Sequence, residues 1–172
     1  MTIQDHQIPK PESFRGYQVH QVVAELCKDK PYLFLDRGDH FIVRTQAPLT
    51  TTGVAVRQPL LDEIVGFELR ASVAFRSGGK NIYPALGDWR KRREWLERQG
   101  SRLGFEVLAV HVTSRPMEVL PKATRPQGGT FSIDCTDFKG VLKVKDPAIF
   151  QVALERGVGR VGRAFGMGML IL

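Results

Sequence analysis

The chain has 172 residues, enough for one ordinary domain or two small ones, and its 42% hydrophobic content is sufficient for a real core. No apolar run approaches the length of a membrane span, and the first ten residues are polar where a secretory leader is apolar, so a cytoplasmic protein with no membrane partner is expected. Lys and Arg number 25 against 18 Asp and Glu, a net charge of +7 that suits a polyanionic partner such as nucleic acid.

Taken in chain order, residues 2–8 read as a short, polar strand, broken by Pro9 and Pro11, and residues 16–28 as a helix. Cys27 at the end of that helix and Cys135 lie far apart without a C-x-x-C neighbour, so both are read as packing residues, with no zinc knuckle and no disulfide-linked partner. Alternating apolar residues give strands at 32–36 and 40–45, joined by Arg37-Gly-Asp39 at hairpin length. Residues 48–60 lack a clean period and leave room for a short helix, and residues 64–75 read as a further strand.

The second half repeats the order. A short apolar piece at 81–86 precedes a helix from an Asp88 N-cap to about Gln99, then a strand at 105–113 with Val107, Ala109 and His111 on one face and Leu108 and Val110 on the other. A loop rich in Pro, Lys, Arg and Gly follows at 116–129, then strands at 130–135 and 140–144. Asp146 and Pro147 open a last helix, and apolar residues 167–172 close the chain. Two successive βαββαβ orders predict an α+β protein of two tandem ferredoxin-like modules with antiparallel sheets, at residues 1–76 and 80–172.

The first helix carries candidate chemistry. At 100° per residue, Val19, Val22, Val23 and Leu26 share one face, while Tyr17, His20, Ala24 and Lys28 share the other. An imidazole near its ordinary pKa of about 6.5, beside a phenol and an ammonium, suits cleavage of RNA by its own 2′-hydroxyl, in which the substrate supplies the nucleophile. The helix alone equally allows a surface histidine with no function. His6, His20, His40 and His111 show neither an H-x-x-x-H pair nor a two-metal acidic cluster, so no metal and no cofactor is expected.

Residues 157–162, Gly-Val-Gly-Arg-Val-Gly, match the G-x-G-x-x-G fingerprint of dinucleotide sites, but a helix precedes them where the fingerprint needs a strand. The dinucleotide reading is therefore set aside. Gly157 and Gly159 instead suit a helix C-terminus that needs positive φ, and Gly162, Gly166 and Gly168 allow close backbone approach.

Several motifs in order, Tyr17-Gln-Val-His-Gln21, Phe41-Ile-Val-Arg-Thr-Gln-Ala-Pro48, Phe67-Glu-Leu-Arg-Ala71, His111-Val-Thr-Ser-Arg-Pro116, Phe138-Lys-Gly-Val-Leu142 and the glycine stretch, resemble the CasE family of CRISPR RNA-processing endoribonucleases in the RAMP superfamily. The resemblance implies a tandem ferredoxin-like fold and metal-independent cleavage of the repeat hairpin of a precursor transcript, giving 5′-hydroxyl and 2′,3′-cyclic phosphate ends. It implies as partners the CRISPR repeat RNA hairpin and the other subunits of a type I-E-like or type IV surveillance complex. The family's catalytic tyrosine and histidine fall on Tyr17 and His20, with Lys28 as oxyanion stabiliser. Its basic loop falls on Lys122 and Arg125. Lys30, Lys80, Arg90, Arg92, Arg93, Arg160 and Arg163 are further candidates for RNA contact, and the glycine loop supports the RNA cleft. A guide-RNA-binding RAMP subunit without catalysis is the alternative.

Overall fold

A computed structural model describes residues 2–14, 17–119 and 131–172. The first unit consists of strand β1 (Gln4–Pro9), helix α1 (Tyr17–Cys27), and strands β2 (Tyr32–Asp36), β3 (His40–Thr45) and β4 (Gly53–Ala55). They form an antiparallel sheet in the order β2-β3-β1-β4. Val19, Val23 and Cys27 of α1 are buried on Phe34, Phe41 and Val43 of this sheet. Leu26, expected on the apolar stripe, is 40% exposed, because the contact face is the i, i+4, i+8 row that ends in Cys27.

The second unit contains β5 (Ile64–Ala71), a small hairpin of β6 (Phe75–Ser77) and β7 (Lys80–Ile82), α2 (Trp89–Leu103), β8 (Phe105–Val119), β9 (Phe131–Val144), α3 (Pro147–Arg156), a 3₁₀ turn at Arg163–Phe165 and β10 (Leu170–Ile171). Its antiparallel sheet runs β10-β5-β9-β8. Both sheets thus have the ferredoxin strand order, and the fold is the tandem ferredoxin-like one expected. The caps are also as read: Asp88 accepts from the Lys91 amide and Asp146 from the Ile149 amide.

Several local expectations are corrected. No helix forms between β3 and β4, so the first module lacks its second helix and uses a three-residue edge strand there. The strand at 64–75 ends at Ala71 and belongs to the second sheet, where it pairs with β9 along its whole length. The division between the sheets therefore lies between Ala55 and Ile64, not at 76–80. Alternation along β5 buries Val65, Phe67, Leu69 and Ala71 under α2 and α3, a larger apolar partner than the first sheet presents. Residues 81–86 hold only the end of the small hairpin, and the pieces at 130–135 and 140–144 are one continuous strand. In β8 a bulge between Val107 and Ala109 switches faces, so Val110 and Val112 pack inward while His111 turns out. Gly140 lies opposite the bulge, and a Cβ there would stand 2.0 Å from the Ala109 carbonyl oxygen.

The two units are joined by polar contacts around an apolar cluster of Leu33, Leu35 and Met169. Arg44 on β3 forms a fork on Asp5, its register partner on β1, with distances of 2.7 and 2.8 Å. The same guanidinium donates to the carbonyls of Leu154 in α3, at 3.1 Å, and Leu170 in β10, at 2.8 Å. Arg70 donates to Asp137 and to the Asp36 carbonyl, and Arg37 pairs with Glu68. This contact accounts for Asp5 in β1, and the buried His6 beside it bonds through Nδ1 to Thr51, while Gln4 and Gln7 are exposed. Because Arg44 is buried, its replacement by alanine strands Asp5 and two carbonyls; we expect a loss of about 3–5 kcal/mol in denaturant unfolding. A loss under 1 kcal/mol in that measurement contradicts the assignment of Arg44 as the joint between the units.

Candidate active site

Tyr17 and His20 are brought together as the helical wheel requires. Their ring centroids are 5.2 Å apart and tilted by 58°, and both side chains are half-buried. The sequence reading missed a third member, Tyr32, the first residue of β2, whose hydroxyl lies 3.2 Å from Nδ1 of His20. Strand alternation carries the signal: Tyr32 and Phe34 share the face of β2 that α1 covers, and the Phe34 ring stacks 6.4 Å from the imidazole. Burial pushes the Tyr32 hydroxyl above the ordinary phenol range, and the neighbouring Cys27 and Tyr17 add to the shift. Tyr32 therefore stays protonated at neutral pH. A hydroxyl both donates and accepts, so it can donate to a bare Nδ1 or accept from Nδ1–H, and in either case it orients the ring.

The glycine-rich segment, residues 157–168, borders this site. Its 3₁₀ turn packs against α1, and a Cβ at Gly166 would lie 3.0 Å from the Phe34 ring. Gly157 caps α3 with φ 74, its amide bonded to the Ala153 carbonyl, and a Cβ there would meet Arg163 and the Gly168 carbonyl. Gly159, Gly162 and Gly168 also have positive φ. The loop thus covers β2, an edge strand of the first sheet.

The other candidates are distributed differently. Lys28 is exposed with φ 52, already outside the helix, so the wheel that placed it beside His20 no longer applies. Lys30 is exposed just beyond, and Lys80 is exposed on the small hairpin. Arg92 is not a contact residue: it is fully buried, paired with Asp134 at 2.8 Å and bonded to Thr136 and the carbonyls of Pro84 and Ala85. Its spacing from Trp95, Leu96 and Gly100 puts it on the buried row of α2, a signal present in the sequence but masked by the basic run. Arg93 pairs with Glu97, and Arg90 lies over Trp89 with its Cζ 5.4 Å from the ring centroid. Arg163 turns inward and donates to the Gly159 carbonyl at 2.5 and 3.1 Å, where burial lowers its pKa. Arg160 is exposed. Lys122 and Arg125 lie outside the described residues. Among the described residues, no three His, Cys, Asp or Glu side chains gather as a metal site requires, and no helix is long and apolar enough to cross a membrane.

A family model described as CRISPR associated protein matches residues 62–172. Among solved structures, Thermus thermophilus Cse3 bound to an RNA representing a pre-cleavage complex is similar over 99% of this chain and 98% of that chain, at 20% identity and TM-score 0.81. The CRISPR-associated protein Cas6e from Escherichia coli K-12 is similar over 99% and 98%, at 22% identity and TM-score 0.72. A chain of a CRISPR RNA-guided surveillance complex is similar over 98% and 97%, at 18% identity and TM-score 0.75. No curated protein sequence matches. The resemblance carried by the ordered motifs is thereby borne out in family and fold.

Replacing Tyr32 with phenylalanine keeps the ring packing and removes only the partner of Nδ1. We expect a changed tautomer balance of His20 in ¹⁵N imidazole spectra, with the unfolding midpoint shifted by the equivalent of about 1 kcal/mol or less. An unchanged His20 spectrum contradicts the contact.

Proposed function

The chain belongs to the CRISPR-associated protein family, and from that premise we propose that it is an endoribonuclease that cuts the repeat hairpin of precursor CRISPR RNA and remains on its product within a surveillance complex. The observation that carries this reading is the Tyr17, His20 and Tyr32 cluster on the face of α1 beside the glycine-rich loop. The RNA and complex partners named for the similar structures support it.

In the proposed reaction the substrate's 2′-oxygen attacks the adjacent phosphorus and loses its proton, while the bond to the 5′-oxygen breaks and that oxygen gains one. The products are a 2′,3′-cyclic phosphate and a 5′-hydroxyl. His20 exchanges one of these protons at Nε2, and Tyr17 positions the phosphate. Because the nucleophile belongs to the RNA, the chemistry runs without a metal. Lys28 lies beyond the C-terminal end of α1, about two helical turns on from His20 in the chain, so we assign it to phosphates flanking the cut. Lys30, Arg160 and the basic residues Lys122 and Arg125 add positive charge for the hairpin, in keeping with the overall charge of +7.

The protein is expected to cut a cognate repeat hairpin in the presence of chelator. A 2′-deoxy nucleotide on the 5′ side of the cut should abolish cleavage while leaving binding intact, and His20→Ala should slow cleavage by a factor on the order of 10²–10⁴. Cleavage of the deoxy substrate, or an unchanged rate for His20→Ala, overturns the mechanism. Tight binding of a hairpin that is never cut supports the alternative of a guide-RNA-binding subunit.

A further inference from the structure

A cleft of about 1050 Å³ lies between α2, the end of α3 and the segment after β5, with the glycine-rich loop in its lining. Arg76, Arg102, Arg156, Arg160 and Arg163 line it, and no Asp or Glu does. Elsewhere in the protein arginine is consumed by carboxylates: Arg37, Arg44, Arg57, Arg70, Arg92, Arg93, Arg98 and Arg115 all form ion pairs. Among the described residues, the arginines outside any ion pair are the five of the cleft and Arg90, and four of the five are exposed. Their sequence positions are scattered, so it is the fold that gathers them. Charge left unpaired and collected in one concavity stores repulsion that a polyanion relieves.

We propose that this cleft binds single-stranded RNA that adjoins the cleaved hairpin, through its phosphodiester backbone. The inference rests on the endoribonuclease reading for the identity of the RNA. A concave groove follows one flexible backbone, whereas a duplex presents a convex rod to a surface. Guanidinium forks match phosphate oxygens, and the amides of Asn81 and Gln99, also in the lining, offer donors and acceptors for sugar or base edges. Continuity with the cutting site comes from one loop: its 3₁₀ turn, which starts at Arg163, packs on α1, while Gly157, Gly159 and Arg163 form a wall of the cleft. A strand leaving the scissile phosphate across this loop enters the arginine groove.

The test compares wild type with Arg76→Ala/Arg102→Ala, both sites being exposed and outside any ion pair among the described residues. Each protein is titrated with the repeat hairpin, bare or with an eight-nucleotide single-stranded extension on its 5′ or its 3′ side. The extension is expected to tighten binding by wild type about tenfold on one of the two sides, with a salt slope steeper by about 0.7 for each added phosphate contact. The double variant should lose that gain. Reading the ratio within each protein cancels any general change in RNA affinity. An equal gain in the variant, or no gain on either side in wild type, overturns the proposal. If the bare hairpin is neither bound nor cut, the functional reading fails by itself, and the cleft is still judged by octauridylate, which should bind wild type about tenfold more tightly than the variant. Polyglutamate that competes with octauridylate at equal charge concentration would show an acidic peptide site and overturn RNA as the ligand.

Discussion

The guanidinium of Arg44 ties three parts of the chain that are remote in sequence: the first strand through Asp5, the last helix through Leu154 and the last strand through Leu170. Leu154 and Leu170 flank the glycine-rich segment, so one buried side chain fixes both ends of the loop that borders His20. A buried cation tolerates little displacement, because each lost bond leaves a desolvated charge or carbonyl behind. This rigidity passes to the loop, and from the loop to the face of α1 on which Tyr17 and His20 stand. Arg70, which donates to both Asp137 and the Asp36 carbonyl, and the Arg37–Glu68 pair repeat the device along the same seam.

The basic surplus of the chain divides into two populations with different physical consequences. One set of arginines is neutralised locally, as struts between strands or as i, i+4 partners on a helix. The set around the cleft is not neutralised by any described carboxylate, and it spans the chain from Arg76 to Arg163. The run at 90–93, the most conspicuous basic feature of the sequence, breaks apart in the fold: Arg92 is buried, Arg93 and Lys91 have acidic partners, and Arg90 lies on Trp89. Local charge density in a sequence is therefore a poor guide to local potential on the surface, since neighbours on a helix point in different directions.

The site itself was legible to different depths. Tyr17 and His20 lie three residues apart on a helix, where local geometry alone enforces contact. Tyr32 comes from a different element, and its approach to Nδ1 depends on which strand α1 covers. Lys28 was misplaced for a local reason, because the helix ends at Cys27 and the next residue takes a left-handed conformation.

By itself the sequence determined what short-range physics controls: the capped starts of α2 and α3, the glycines that take positive φ after α3, the pairing of phenol and imidazole on α1, and the alternation that marks most strands. It also carried the element order from which the tandem fold follows. Tertiary structure alone decided the rest. Whether the strand at 64–71 closes the first sheet or opens the second depends on which partner buries more apolar surface, and the bulge in β8 depends on register against Gly140. The meeting of Arg44 with the ends of the glycine loop, and of the unpaired arginines in one cleft, rests likewise on contacts between distant segments. Periodicity reports which face of an element is apolar, but only packing selects what that face meets.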